Sequence, residues 1–354
     1  MAKKLLLYIL YINILTANAQ DFLVEITPWQ GGKSGAVSVS FDDASYTQYE
    51  YAYPVLEKYA LKATFSLVGE WTQEDASHSA EPGMFQIKKM GWKQIRELSG
   101  KGYEIAAHGY RHIRYGKFLP VEKLTRQMKR IKNLIEIHID KSVYTMHYPY
   151  SFTSDSIVKA ARKAGFILGR TDSQQNYNTY ENFKPYLLSS KAVLNDTIPN
   201  LQEFQKILKQ AKGKWLILMY QHLFPEDSKE MRILRYHKVL HTYSLLPATF
   251  DKQMQEVAKS GYWVDTEANI GRYMIERKHT KIRYRKFCKI LKIKTKTNLD
   301  KKLYNVPLTL SVKVPWKKVK VKGSLQDGIY EVENGYLLID VLQGNTLKIK
   351  KIKK

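Results

Sequence analysis

Seven short apolar runs separated by stretches of helical period constrain this chain more than any other feature. The runs are 36–40, 63–68, 103–107, 143–147, 166–169, 215–220 and 262–264. Between them Leu124, Met128, Ile131 and Leu134 recur at helical spacing, as do Ile157, Ala160 and Ala161, and Phe250, Met254, Val257 and Ala258. Strand-length runs alternating with amphipathic helices predict parallel strands joined by crossover helices, and seven of them suit a barrel-like sheet. Lys101-Gly102-Tyr103, Ala164-Gly165-Phe166 and Ser260-Gly261-Tyr262 repeat one phrase: a helix end, a glycine, then an aromatic residue opening the next strand. Glycine just past a helix end accepts the left-handed backbone that this connection needs.

Beyond Ile275 the pattern changes to short alternating strands at 308–314, 319–321, 329–332, 336–341 and 347–349. Asp327-Gly328, Asn334-Gly335 and Gly344-Asn345 are tight-turn dipeptides between them. The predicted fold class is α/β, a distorted (β/α) barrel with a small C-terminal all-β domain. Its expected divisions are a signal peptide at 1–19, a barrel domain at 20–275, a basic linker or first strands at 276–299, and a β-sandwich-like accessory domain at 300–354.

The leading segment carries Lys3 and Lys4, a mostly apolar stretch from Leu5 to Thr16, and the small residues Ala17-Asn18-Ala19. That is the build of a cleaved secretory signal, and the apolar stretch is shorter than the roughly 20 residues a spanning helix needs. We expect an exported protein, periplasmic or extracellular, with no transmembrane helix in the mature chain. Cys288 is the single cysteine, so no intramolecular disulfide can form. The net charge is +25, and residues 277–354 hold 22 Lys and Arg against 5 Asp and Glu. The excess therefore sits in the tail, where an anionic polymer or a membrane surface is the expected contact. No nucleic-acid recognition motif accompanies it, and we expect no nucleic-acid partner.

The polar residues that punctuate the strands cluster at their C-terminal ends, where α/β barrels place their sites. Asp42 and Asp43 end the first strand, and two adjacent carboxylates face one site only if the backbone turns between them. His108 and His112 follow the third strand at a spacing that puts both on one face of a helix. With Asp43 they make two imidazoles and one carboxylate, a set suited to zinc or a similar divalent ion with positions left open. His147, Tyr148, Pro149, Tyr150 and Ser151 follow the fourth strand, and His222 follows the run 215–220.

In this order the pieces resemble the polysaccharide deacetylase family, carbohydrate esterase family 4. Ser40-Phe41-Asp42-Asp43-Ala44 is similar to its Thr-Phe-Asp-Asp-Gly motif and His108 to His112 to its His-x-x-x-His motif. His147 to Ser151 is similar to Arg-x-x-Pro-Tyr-Gly with one spacer omitted, and the likeness spans about 35–265. The resemblance implies that Asp43, His108 and His112 hold the metal, Asp42 is the general base, and the Tyr150 backbone beside Pro149 faces the oxyanion. It implies that His222 is the general acid. His147 stands where the family has an arginine that orients the base, which leaves Arg170, Asp172 or His147 itself for that duty. Ala44 and Ser151 replace glycines, and Tyr220-Gln221-His222 matches Leu-x-His only in its histidine.

The expected activity is metal-dependent removal of acetyl groups, N-acetyl before O-acetyl, from an acetylated polysaccharide or oligosaccharide. Zinc is the expected ion, with cobalt, nickel or manganese able to take the same ligands. The competing reading is a catalytically impaired carbohydrate-binding relative of the same fold.

Overall fold

The computed structural model describes residues 22–78, 87–115, 119–172, 177–194, 200–234 and 242–352, so the expected signal peptide lies outside the described residues. The strands are, in chain order, β1 (Leu23–Ile26), β2 (Ala36–Phe41), β3 (Ala63–Leu67), β4 (Ser77–His78), β5 (Lys88–Lys89), β6 (Glu104–Ala107) and β7 (Thr145–His147). They continue as β8 (Leu168–Asp172), β9 (Tyr177–Asn178), β10 (Leu188–Ala192), β11 (Trp215–Tyr220), β12 (His222–Leu223), β13 (Ser244–Leu245) and β14 (Trp263–Val264).

Strands β2, β3, β6, β7, β8, β10 and β11 pair in that order, all parallel, and β11 closes the ring on β2 from Trp215 opposite Ala36 to Tyr220 opposite Phe41. The unit is a seven-stranded (β/α) barrel, as the alternating sequence predicts, although the seven are not the expected seven. β14, read as a barrel strand, lies outside the ring as an extra parallel partner of β2. β10 takes the vacated place. Its Leu-Ser-Ser-Lys-Ala sequence escaped the apolar-run criterion because its buried serines answer polar neighbours inside the barrel.

Several barrel strands have two buried faces of opposite character, while β11 is apolar on both. Val37, Val39 and Phe41, then Ala63, Phe65 and Leu67, then Leu216, Leu218 and Tyr220 belong to the apolar core. That core also holds Leu124, Met128, Ile131 and Ile135 of helix Val121–Ile139 and Phe250, Met254 and Val257 of helix Pro247–Lys259. Phe41 and Phe65 stack 4.8 Å apart, and each buried ring of this kind contributes about 2 to 3 kcal/mol by leaving water. The alternate positions, Ser38 and Ser40, Thr64 and Ser66, Thr145 and His147, and Arg170, are buried on the opposite faces of their strands, with Glu104 of β6 half-buried among them.

The remaining unit comprises, among the described residues, 22–33 and 272–352, while Ser34–Gly271 form the barrel unit. This differs from the expected boundaries at the N-terminal strand, while the basic stretch takes the second of its two expected forms, first strands. β1, placed by sequence in the barrel domain, pairs antiparallel with β17 (Leu308–Lys313), because a lone four-residue strand carries no local sign of its distant partner. The basic stretch after helix Glu267–His279 forms strands β15 (Lys281–Phe287) and β16 (Ile290–Lys296). With β18 (Lys318–Lys322), β19 (Gly328–Glu331), β20 (Tyr336–Val341) and β21 (Thr346–Lys351), they complete two sheets, β1-β17-β20 and β15-β16-β21-β18-β19. One apolar core shared by both sheets includes Val24, Leu291, Ile293, Leu310, Val312, Val319, Ile339 and Ile349.

Candidate active site

Asp42 continues the inward register of Ser38 and Ser40 past the end of β2. At Asp43 and Ala44 the backbone enters the left-handed region, φ 70° and 46°, and the turn brings both carboxylates to one place. The same conformation recurs at Tyr150 and Ser151, φ 57° and 53°. Non-glycine residues rarely adopt it, at a cost of roughly 1 to 2 kcal/mol each, and such strain concentrates where a loop must present particular groups. These are the two loops in which the sequence replaces glycines of the resembled motifs, at Ala44 and Ser151.

His108 follows β6, its N–H donating to the Leu67 carbonyl at 2.8 Å. The segment to His112 is an irregular loop rather than the helix its spacing suggested. Gly109, at φ 86°, makes the turn, and a Cβ there would meet the Arg111 carbonyl, the Pro149 ring and the Tyr115 hydroxyl at 3.1 to 3.2 Å. Nε2 of His108 and Nε2 of His112 lie 3.5 and 3.6 Å from the same Asp43 Oδ1. One ligand atom from each residue falls within 4.8 Å of the others, a group able to hold a metal ion.

Asp42 sits among cations. Arg170 Nη2 is 2.5 and 2.6 Å from its two oxygens, Ser66 Oγ donates to Oδ1 at 2.9 Å, and His147 Nδ1 is 3.0 Å from the same oxygen. The other ring nitrogen of His147 is 3.0 Å from Glu267. Burial alone would push the Asp42 carboxyl up, but Arg170, then His108 and His147, hold it well below the usual carboxylate range. Burial and Arg170 oppose charge on His147, and the two carboxylates that flank it outweigh them and raise its pKa. Asp43 is also lowered: burial acts upward, and Lys89, His108 and His112 reverse it.

Of the orienting candidates, Arg170 and His147 both reach Asp42, and Asp172 does not. The Asp172 backbone N–H donates instead to Ser151 Oγ at 3.0 Å, at the exposed end of β8. Tyr150 lays its ring against His112, centroids 4.6 Å apart, beside buried Pro149. His222 is buried on β12, and Gln48 ties its strand to the Asp42 loop by donating from Nε2 to the carbonyls of Asp42 and Gln221, both at 2.6 Å. Burial, then Lys89, push the His222 imidazole down to about 4.

Sequence reasoning missed Glu267 and Lys89. Glu267 is fully buried at the start of a helix, and its one sequence sign was an acid just beyond a strand-length run. Lys89 is buried with its ammonium 4.4 Å from the Trp71 ring, and a bridge from its backbone to Ser45 fixes it beside the Asp43 loop.

Residues 30–168 match the sequence model of the polysaccharide deacetylase family. Curated relatives include the poly-β-1,6-N-acetyl-D-glucosamine N-deacetylase of Staphylococcus epidermidis, 26% identical over 144 residues, which are 38% of this chain and 47% of that protein. The enzyme of the same name from Staphylococcus aureus is 25% identical over 183 residues, 48% of this chain and 60% of that one. The chain spans about half the length of the curated relatives it matches. Among solved structures, a CE4 family pseudoenzyme from Bacillus anthracis aligns at 14% identity and TM-score 0.45, covering 67% of this chain and 66% of that one. The sequence match thus places the chain's likeness to the polysaccharide deacetylase family on residues 30–168.

Proposed function

We propose that this chain is a metal-dependent hydrolase that removes acetyl groups from a glycan, N-acetyl in preference to O-acetyl. One observation carries the metal: Asp43 Oδ1 is buried without a hydrogen-bond partner, yet two imidazole nitrogens stand 3.5 and 3.6 Å from it. Tetrahedral zinc with ligand bonds near 2.1 Å has ligand-to-ligand edges of about 3.4 Å, close to both edges at Asp43, and the third pair of atoms lies within 4.8 Å. Nδ1 of His108 is 2.9 Å from the His147 carbonyl, which fixes the ring and leaves Nε2 for the ion. Asp43, His108 and His112 would hold zinc, or cobalt, nickel or manganese in its place. When bound, the ion supplies Lewis acidity toward the acetyl carbonyl and the attacking water.

The chain's own groups would do the rest. Asp42, fixed by Arg170 and His147, takes the proton of the attacking water. The backbone at Tyr150 faces the oxygen on which negative charge develops. His222, whose imidazole is held low by burial and Lys89, would pass to the departing nitrogen the proton that Asp42 takes from the water, which returns Asp42 to its carboxylate form. The names of the staphylococcal relatives support an N-acetylglucosamine polymer as substrate. The leader-like residues 1–19 support export, and no described helix is long and apolar enough to cross a membrane.

The test is acetate release from N-acetylated and O-acetylated oligosaccharides by purified protein as isolated, after chelation, and after zinc is restored. Release that vanishes and returns with the metal is expected. No release while zinc is demonstrably bound would favour the impaired, carbohydrate-binding reading.

A further inference from the structure

The outer face of the five-stranded sheet carries a charge pattern that folding alone does not call for. In β16, Leu291, Ile293 and Thr295 are buried while Lys292, Lys294 and Lys296 are exposed. β18 buries Val319 and Val321 and exposes Lys318, Lys320 and Lys322, and β21 exposes Lys348 and Lys350. The register sets these cations side by side. Arg285 stands opposite Lys292, Lys292 opposite Lys348, and Lys348 opposite Lys322, giving a row of four across four strands. Arg283 faces Lys294, Lys281 faces Lys296, and Lys350 faces Lys320. Like charges directly opposite on a sheet destabilise it, and neighbouring strands are only about 4.8 Å apart. Within the five strands the single outward acid is Glu331, on an edge strand and 2.7 Å from Lys318.

A second feature adjoins this face. A cavity of about 720 Å³ is lined by Lys278, Lys281, Arg283, Lys294 and Lys296 with His279, and no acid takes part in its lining. Phe287 and Ile290 are exposed and face each other in the next row.

We propose that this face binds an acidic polysaccharide, whose carboxylates pair with the cation rows while a sugar ring rests on Phe287. Lysine dominates the face, and its compact ammonium suits singly charged, hydrated carboxylates, whereas phosphate recognition favours the bidentate guanidinium. A flat bilayer would leave the cavity unfilled, and a polymer chain can enter it.

The experiment measures binding of the full chain to labelled polygalacturonate, a neutral N-acetylglucosamine oligomer, phosphatidylcholine vesicles containing phosphatidylglycerol, and duplex DNA, at low and near-physiological ionic strength. One variant combines Arg285→Ser, Lys292→Ser, Lys322→Ser and Lys348→Ser. A control of equal charge combines Lys129→Ser, Lys159→Ser, Lys206→Ser and Lys209→Ser, exposed positions on barrel helices. Polygalacturonate is expected to bind best, and the row variant to lose about tenfold or more while the control loses little, the difference shrinking with salt. Relieved repulsion should leave the row variant melting at or above the parent. Equal loss in both variants, or a parent that prefers vesicles or DNA, overturns the proposal. If the fourfold variant does not fold, Lys292→Gln with Lys348→Gln gives the same reading with two outward side chains changed.

Discussion

On the function proposed above, Arg170 and His147, which both reach Asp42, would divide between them the work of one orienting arginine. Arg170 spans both oxygens of Asp42, and His147 links Asp42 to Glu267, so each of the two buried acids has a basic side chain beside it. Arg170→Ala removes the larger counter-charge and is expected to lower kcat/KM by roughly 10- to 100-fold, with bound metal by elemental analysis unchanged. Asp172→Ala is expected to leave both quantities near the parent values, and equal losses in the two variants would sink this assignment. Asp43→Asn takes the charge from the shared ligand atom, and its expected effect is loss of stoichiometric zinc before any loss of fold, read by elemental analysis alongside circular dichroism. Asp42 and Asp43, which alone read as a turn, were legible because His108, His112 and the later motifs follow them in order at successive strand ends. Glu267 was not, since a lone acid near a helix start reads equally well as a capping residue.

The strands explain why the site lies where it does. Period-two alternation sends Val, Phe and Leu toward the helices and Ser, Thr, Glu, His and Arg inward, so the barrel wall encloses hydrogen-bonded polar groups. Thr64, Glu104 and Thr145 make one part of that lining, with the Glu104 carboxylate accepting from both hydroxyls and from the Ala268 N–H. This polar filling also hid β10, whose Ser190 accepts from Arg170 Nη1 at 3.0 Å; the apolar-run criterion reads the outer face of a strand and is blind to one whose pattern is polar.

Burial, then repulsion from Glu267, push the Glu104 carboxyl up to about 7 from 4.5. A carboxyl that binds its proton more tightly in the folded state adds stability that is complete below its unfolded value and is lost as pH rises through about 7. The loss approaches about 3 kcal/mol by the ordinary conversion of pKa to free energy. Glu104→Gln is expected to flatten the fall in thermal midpoint between pH 5 and pH 8 and to melt above the parent at the alkaline end. An unchanged slope would mean that Glu104 is not the group responsible.

At the scale of the whole molecule, composition located the basic excess in the tail, and alternation in the sequence located most of its strands. Neither could reveal that the tail's sheet includes β1, because pairing between Leu23 and Lys313 leaves no local trace. Deleting residues 300–354 removes β17 to β21 and leaves β1 without β17 and β16 with β15 but without β21, so the shortened chain is expected to aggregate, as read by its soluble yield. A cut limited to 34–271 follows the observed division and is expected to stay soluble. If the longer truncation proves equally soluble, β1 contributes little.

That split sandwich also sets an order of events during synthesis. β1 leaves the ribosome almost three hundred residues ahead of the strand that completes it. It must wait unpaired, its hydrogen-bonding edge open, while the whole barrel is made and closes around its own polar interior. A chain that ends early would therefore keep a finished barrel and display an exposed strand, a marker by which quality-control proteases could tell incomplete copies from complete ones.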